Sequence, residues 1–93
     1  MKDRFCIVRT YSAGVHCGVV VNVDGKNVQL TDARRIWRWR GANSLHEVAL
    51  HGAAQEYTRI SEPVPEILLT EAVEVIPCTA KARENLSVSR WAP

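Results

Sequence analysis

The segment Val15-His16-Cys17-Gly18-Val19-Val20-Val21-Asn22-Val23, closed by Asp24-Gly25, constrains the fold more than any other part of the chain. Its β-branched residues lose side-chain freedom in a helix but pack well on a pleated surface, so the run reads as a strand. Glycine in the Asp24-Gly25 pair accepts the positive φ of a tight turn, and Lys26 to Leu30 returns antiparallel with Val28 and Leu30 facing inward. Gly18, inside the strand, marks a bulge or a close approach of another backbone. Ahead of this hairpin, Phe5 to Thr10 forms a first strand, joined to it by the turn residues Tyr11-Ser12-Ala13-Gly14.

Further along, Ala33 to Arg40 alternates. Period-two spacing places Arg35, Trp37 and Trp39 on one face and Arg34, Ile36, Arg38 and Arg40 on the other. The pattern changes at Ser44-Leu45-His46-Glu47, a capping-box sequence that opens a short helix from Leu45 to about His51, closed by Gly52. Tyr57 to Ile60 reads as a strand, Pro63 and Pro65 punctuate an extended crossing, and Glu66 to Ile76 holds one or two more strands before Pro77. Thr79 caps a terminal helix through about Leu86, with Trp91 anchoring the tail on the sheet. The expected architecture is a single α+β domain over residues 1–93. It is a bent antiparallel sheet, or a partly open small β-barrel, of five to six strands with one or two short helices.

Ninety-three residues bury enough surface for a modest core but not for a large enclosed cavity, so a ligand site is expected in a shallow groove or between subunits. The chain is 46% hydrophobic and 24% charged, the balance of a folded domain. Its net charge is only +2, but most lysines and arginines precede Gly41 while every glutamate follows it. That asymmetry fits an anion-facing surface or head-to-tail association into a homo-oligomer. No apolar run approaches the roughly 18 residues needed to span a bilayer. Three cysteines, Cys6, Cys17 and Cys78, are an odd number with no signal peptide before them, so reduced, mostly buried thiols and a cytoplasmic location are expected.

The chemistry concentrates in Asp32-Ala33-Arg34-Arg35-Ile36-Trp37-Arg38-Trp39-Arg40. A guanidinium forks onto anionic oxygens, and an indole supplies a large, stiff contact area, so this run is the first candidate for a binding site. Its plainer reading is a strand with indoles in the core and arginines in water. The turn Thr10-Tyr11-Ser12-Ala13-Gly14, with Arg9 before it, offers small residues whose backbone amides can approach an anion, though most such turns serve only conformation. The ligand-binding candidates are therefore Arg9, Thr10, Ser12, Gly14, Arg34, Arg35, Trp37, Arg38, Trp39 and Ser44. His16, His46, His51 and the cysteines lack metal-ligand spacing. Glu71 and Glu74 read as strand-face charges rather than a general acid and base. A non-enzymatic binding protein without cofactor or metal is expected.

Three stretches carry a resemblance over nearly the whole chain. They are Arg9-Thr10-Tyr11-Ser12-Ala13-Gly14-Val15-His16-Cys17-Gly18, the arginine-tryptophan run continued through Leu45, and Ile67-Leu68-Leu69-Thr70-Glu71-Ala72-Val73-Glu74-Val75-Ile76-Pro77-Cys78-Thr79. Together they resemble a family of small proteins of tailed phages and prophages known as a domain of unknown function. The segment from Gly52 to Pro65 departs from that pattern. The resemblance implies a phage accessory role against host defence: capture of an anionic small molecule, foremost a nucleotide second messenger, in an arginine-lined groove or intersubunit pocket. An inhibitor docking on a host protein such as a defence nuclease, and a weak nucleic-acid-binding protein, are the alternatives.

Overall fold

The computed structural model describes residues 1–54 and 56–89. Its elements are β1 (Phe5–Thr10), β2 (Val15–Asp24), β3 (Asn27–Arg38), α1 (Leu45–His51), β4 (Arg59–Ile60), β5 (Val64–Leu69), β6 (Ala72–Pro77) and α2 (Ala80–Leu86). All strand pairings are antiparallel. The sheet runs β4-β3-β2-β1-β6, and β5 joins β4 along the outer edge of β3. Only Thr70 and Glu71 separate β5 from β6, although those strands lie at opposite edges of the sheet. A two-residue connection can span such a gap only if the sheet curls strongly, and the result is an α+β domain built on a six-stranded sheet that does not close.

Two bulges produce the curl. Cys17 pairs with Arg34 and Val19 with Thr31, so Gly18 alone opposes both Asp32 and Ala33. Asp32 takes a positive φ of 49° there, where the extra residue bends the ladder. A second irregularity follows between Val20 and Asn22. The strand expected from Lys26 to Leu30 and the one expected from Ala33 to Arg40 are thus a single bent β3. Its edge partner is also one extended path, β4 and β5, interrupted at Ser61 to Pro63.

Because the sheet folds over itself, both of its faces are buried. Phe5, Ile7, Cys17 and Ile36 pack under the helices with Leu45, Val48, Ala49, Ile60 and Leu86. On the other face Cys6, Val8, Val20, Val28, Leu30, Ala33 and Leu69 fill the inside of the curl. This explains why β1 is buried almost continuously rather than alternately.

The helix boundaries follow their caps. Thr79 accepts a hydrogen bond from the Ala82 amide, and α1 ends where the Gly52 amide donates to the Val48 carbonyl. Ser44 sits at the start of α1, but its hydroxyl donates to Glu47 at 2.6 Å instead of accepting from the backbone. That bond holds the Glu47 carboxyl below its ordinary pKa. Cys6 and Cys17 are buried free thiols and Cys78 is half-buried. Burial pushes the Cys17 and Cys78 thiols up to about 12, so neither is a reactive thiolate. Trp91 lies outside the described residues. Among the described residues, no helix is long and apolar enough to cross a membrane.

Candidate functional site

The bulge at Asp32 decides which way the arginine-tryptophan segment faces. Beyond it Ala33 takes the inward position that Leu30 holds before it, so Arg35 and Trp37 follow Ala33 on one face while Arg34 and Ile36 point toward the helices. β3 ends at Arg38, and Trp39, past the strand, packs half-buried against the same core as Ile36. The expected alternation therefore holds for Arg34 to Trp37 but not for the two indoles. They do not share a strand face: Trp37 is 50% exposed, whereas Trp39 is held against the core.

Both indoles nevertheless border one groove. It is lined by Ser12, Ala13 and Gly14 of the β1–β2 turn, by Val15, and by Arg35, Ile36, Trp37 and Trp39, and encloses about 350 Å³. The turn is rigid for local reasons. The Thr10 hydroxyl donates to the Gly14 carbonyl at 2.8 Å and accepts from the Ala13 amide at 2.9 Å, while Gly14 takes a φ of 82° that a side chain would resist. The same turn is tied to the β5–β6 connection by the Tyr11 amide, which donates to the Glu71 carbonyl, and by the Ser12 hydroxyl, which donates to the Glu71 carboxylate at 2.6 Å.

Charge divides the groove into two ends. Glu71 makes the Ser12 end unwelcoming to an anion. At the other end the Arg35 guanidinium makes one hydrogen bond among the described residues, from Nε to His16 Nε2 at 3.4 Å, and no carboxylate pairs with it. Arg38 stands beside it with its guanidinium 5.7 Å from the centre of the Trp37 ring, and donates from Nε to the Tyr57 carbonyl at 3.0 Å.

Five of the sequence candidates thus meet: Ser12, Gly14, Arg35, Trp37 and Trp39, with Arg38 adjacent and Thr10 bracing the turn. The others lie elsewhere. Arg9 forms a 2.7 Å ion pair with Glu74 across the β1–β6 ladder, both side chains well exposed, a contact worth at most about 1 kcal/mol. Arg34 is on the opposite face, donating to the Ser61 carbonyl and the Ser89 hydroxyl. Ser44 caps α1. The pairing of Arg9 with Glu74 also means that the basic and acidic halves of the sequence interdigitate in the sheet rather than occupy separate surfaces.

Tyr57, expected to open a strand, instead precedes β4 with a positive φ of 65°, is 60% exposed and lies under the Arg40 guanidinium at 5.8 Å. It sits in the segment of weakest pattern, so only the structure brings it near the arginine strand. Equally unforeseen is His16, whose place is set by its register opposite Arg35.

The unequal burial of the indoles has a measurable consequence. Trp39→Ala is expected to cost about 2–4 kcal/mol, somewhat less than deletion of a fully buried indole. Trp37→Ala should change stability by no more than about 1 kcal/mol because its ring stands half in water. Urea unfolding of the two variants checks this; equal losses would mean that Trp37 too is a core residue.

The model of a domain of unknown function, DUF6948, matches residues 3–86. The chain belongs to that family. No curated protein and no solved structure matches it. The DUF6948 match spans every strand, both helices and all of the groove, so the site is part of the family domain rather than an addition to it.

Proposed function

We propose that this protein is a non-enzymatic binder of an anionic small molecule of the nucleotide class, held in the groove between the β1–β2 turn and the end of β3. The observation that carries the reading is the convergence on one groove of an arginine without a carboxylate partner among the described residues, Arg35, and a half-exposed indole, Trp37. A guanidinium recognises phosphate oxygens through paired N–H donors, and an indole offers a flat face to a base. The groove of about 350 Å³ is at the small end of ligand sites and open along its length. A second copy of the chain laid across it would supply the enclosure that one copy lacks, which makes a homo-oligomer part of the proposal. Together with the resemblance to tailed-phage proteins, the ligand we assign is a nucleotide signal of host defence, sequestered rather than degraded.

Calorimetric titration with a panel of mono- and dinucleotides, alongside native mass spectrometry for stoichiometry, tests this reading. Arg35→Ala should weaken nucleotide binding at least about tenfold, the value of a lost charge-assisted contact, while Arg34→Ala, on the opposite face, should leave it unchanged. Equal effects of the two substitutions, or no nucleotide bound by the parent, would overturn the proposal.

A second reading, docking on a host protein, draws on two exposed aromatics, Tyr11 at 81% and Tyr57 at 60%. Tyrosine, tryptophan and arginine are the residues that dominate protein hot spots. Under that reading no nucleotide binds, and Tyr11→Ala weakens capture of the partner. A weak polynucleotide binder would instead lose affinity steeply with salt.

A further inference from the structure

On the far side of Arg35 from the indoles lies a second pocket of about 290 Å³, formed where β2, β3 and the interrupted β4–β5 edge meet. His16, Ala33, Arg35, Ser61, Val64 and Ile67 line it. Its volume is that of about ten waters in the liquid. Ala33, Val64 and Ile67 make its body apolar.

The polar groups are few, and their hydrogen-bonding capacities can be assigned. The Ser61 hydroxyl is committed, accepting from the Arg35 amide at 2.8 Å and donating to the Glu62 carbonyl at 2.9 Å. His16 is only 2% exposed, and its Nε2 accepts from Arg35 Nε. The neutral ring must then carry its proton on Nδ1. That Nδ1–H is buried and has no acceptor among the described residues. An atom with no exposed surface cannot be reached by a ligand oxygen either, so the donor left to the cavity is the exposed Arg35. The guanidinium of Arg35 likewise only donates. Every uncommitted polar group here is a donor, one of them is cationic, and the rest of the wall is apolar.

We infer that this pocket is a binding site for a small carboxylate with an apolar body, its oxygens accepting from Arg35, which contacts the His16 ring, and its body seated against Ala33, Val64 and Ile67. The site does not depend on the nucleotide reading, although Arg35 borders both grooves. Inorganic phosphate lacks the apolar body, and a neutral apolar molecule lacks the charge.

Benzoate serves as the probe, with benzyl alcohol as a neutral match of similar size and inorganic phosphate as an anion without a body. Nitrogen-15 spectra of the histidine rings, recorded on the full chain during titration, report directly on His16. Millimolar benzoate should shift the His16 ring signals and bind at least about tenfold more tightly than benzyl alcohol, with phosphate leaving the ring unmoved. Val64→Trp, at a position 45% exposed, should block benzoate without affecting a nucleotide that binds on the other side of Arg35. Trp37→Ala should spare benzoate. His16 signals unmoved by benzoate, indifferent to its charge, or equally shifted in the Val64→Trp protein would overturn the inference. Each of those results leaves the nucleotide titration free to succeed or fail by itself.

Discussion

Gly18→Ala is expected to lower the stability of the fold by about 3 kcal/mol, near the upper end of what overpacking usually costs. A β-carbon at this position would lie 2.8 Å from the Thr31 carbonyl oxygen and 3.2 Å from the Ala33 α-carbon. Both are backbone atoms, and both belong to the stretch of β3 already bent by the positive φ of Asp32. Neither can swing aside as a side chain could. Relief would require β2 and β3 to separate at the bulge, and the bulge carries the curl that brings β5 and β6 within reach of a two-residue connection. A domain of this size has only about 5–10 kcal/mol in total, so the loss should show as a large drop in the urea midpoint. Unchanged stability would mean that the strands are farther apart at Gly18 than the structure has them.

That glycine illustrates what a sequence of this kind reveals and what it conceals. Gly18 in a β-branched run signals a bulge or a close approach, and both are found. The hairpin at Asp24-Gly25, the first strand and the bounds of both helices were legible for the same reason: each rests on a local rule of turn, cap or period. Within the arginine-tryptophan segment the alternation was legible from Arg34 to Trp37, but not that the strand ends at Arg38 and that Trp39 packs against the core. Which face turns inward was not legible either, since an extra residue at Asp32 shifts the count from Leu30 without leaving a compositional mark. Nor could spacing foretell that Arg9 would meet Glu74, 65 positions away, or that Arg34 would brace the far face through Ser61 and Ser89. The candidate groove was legible as two separate pieces, a turn and a strand. Their meeting is a product of the ladder between β1, β2 and β3.

Mild acid is expected to weaken the fold, and His16 is a reason. Its ordinary pKa of 6.5 is pushed down to about 4, first by burial and then by the Arg35 guanidinium beside it. Above pH 6.5 the ring is neutral in both the folded and unfolded chains, and its titration contributes nothing. Between pH 6.5 and about 4 the unfolded chain takes up a proton that the folded chain refuses, so stability falls as pH falls. Below about 4 both states carry the proton and this contribution levels off. Over the whole window the loss amounts to about 3 kcal/mol, from roughly 1.4 kcal/mol per pH unit.

The upper part of that window separates the histidine from the carboxylates. Glu47 is held below its ordinary pKa of 4.5, so the stability it contributes is present above that pH and is lost only as acid protonates it in the folded state. A decline in urea stability already under way between pH 6 and 5 therefore belongs to the imidazole. Replacing His16 with glutamine should flatten the decline whatever it does to stability at neutral pH, since glutamine cannot take up the proton. The ring nitrogens should titrate with a midpoint near 4. A midpoint at or above 6.5 would mean that the guanidinium does not stand against the imidazole and that the ring is hydrated, so that Arg35 is not placed where the carboxylate pocket needs it.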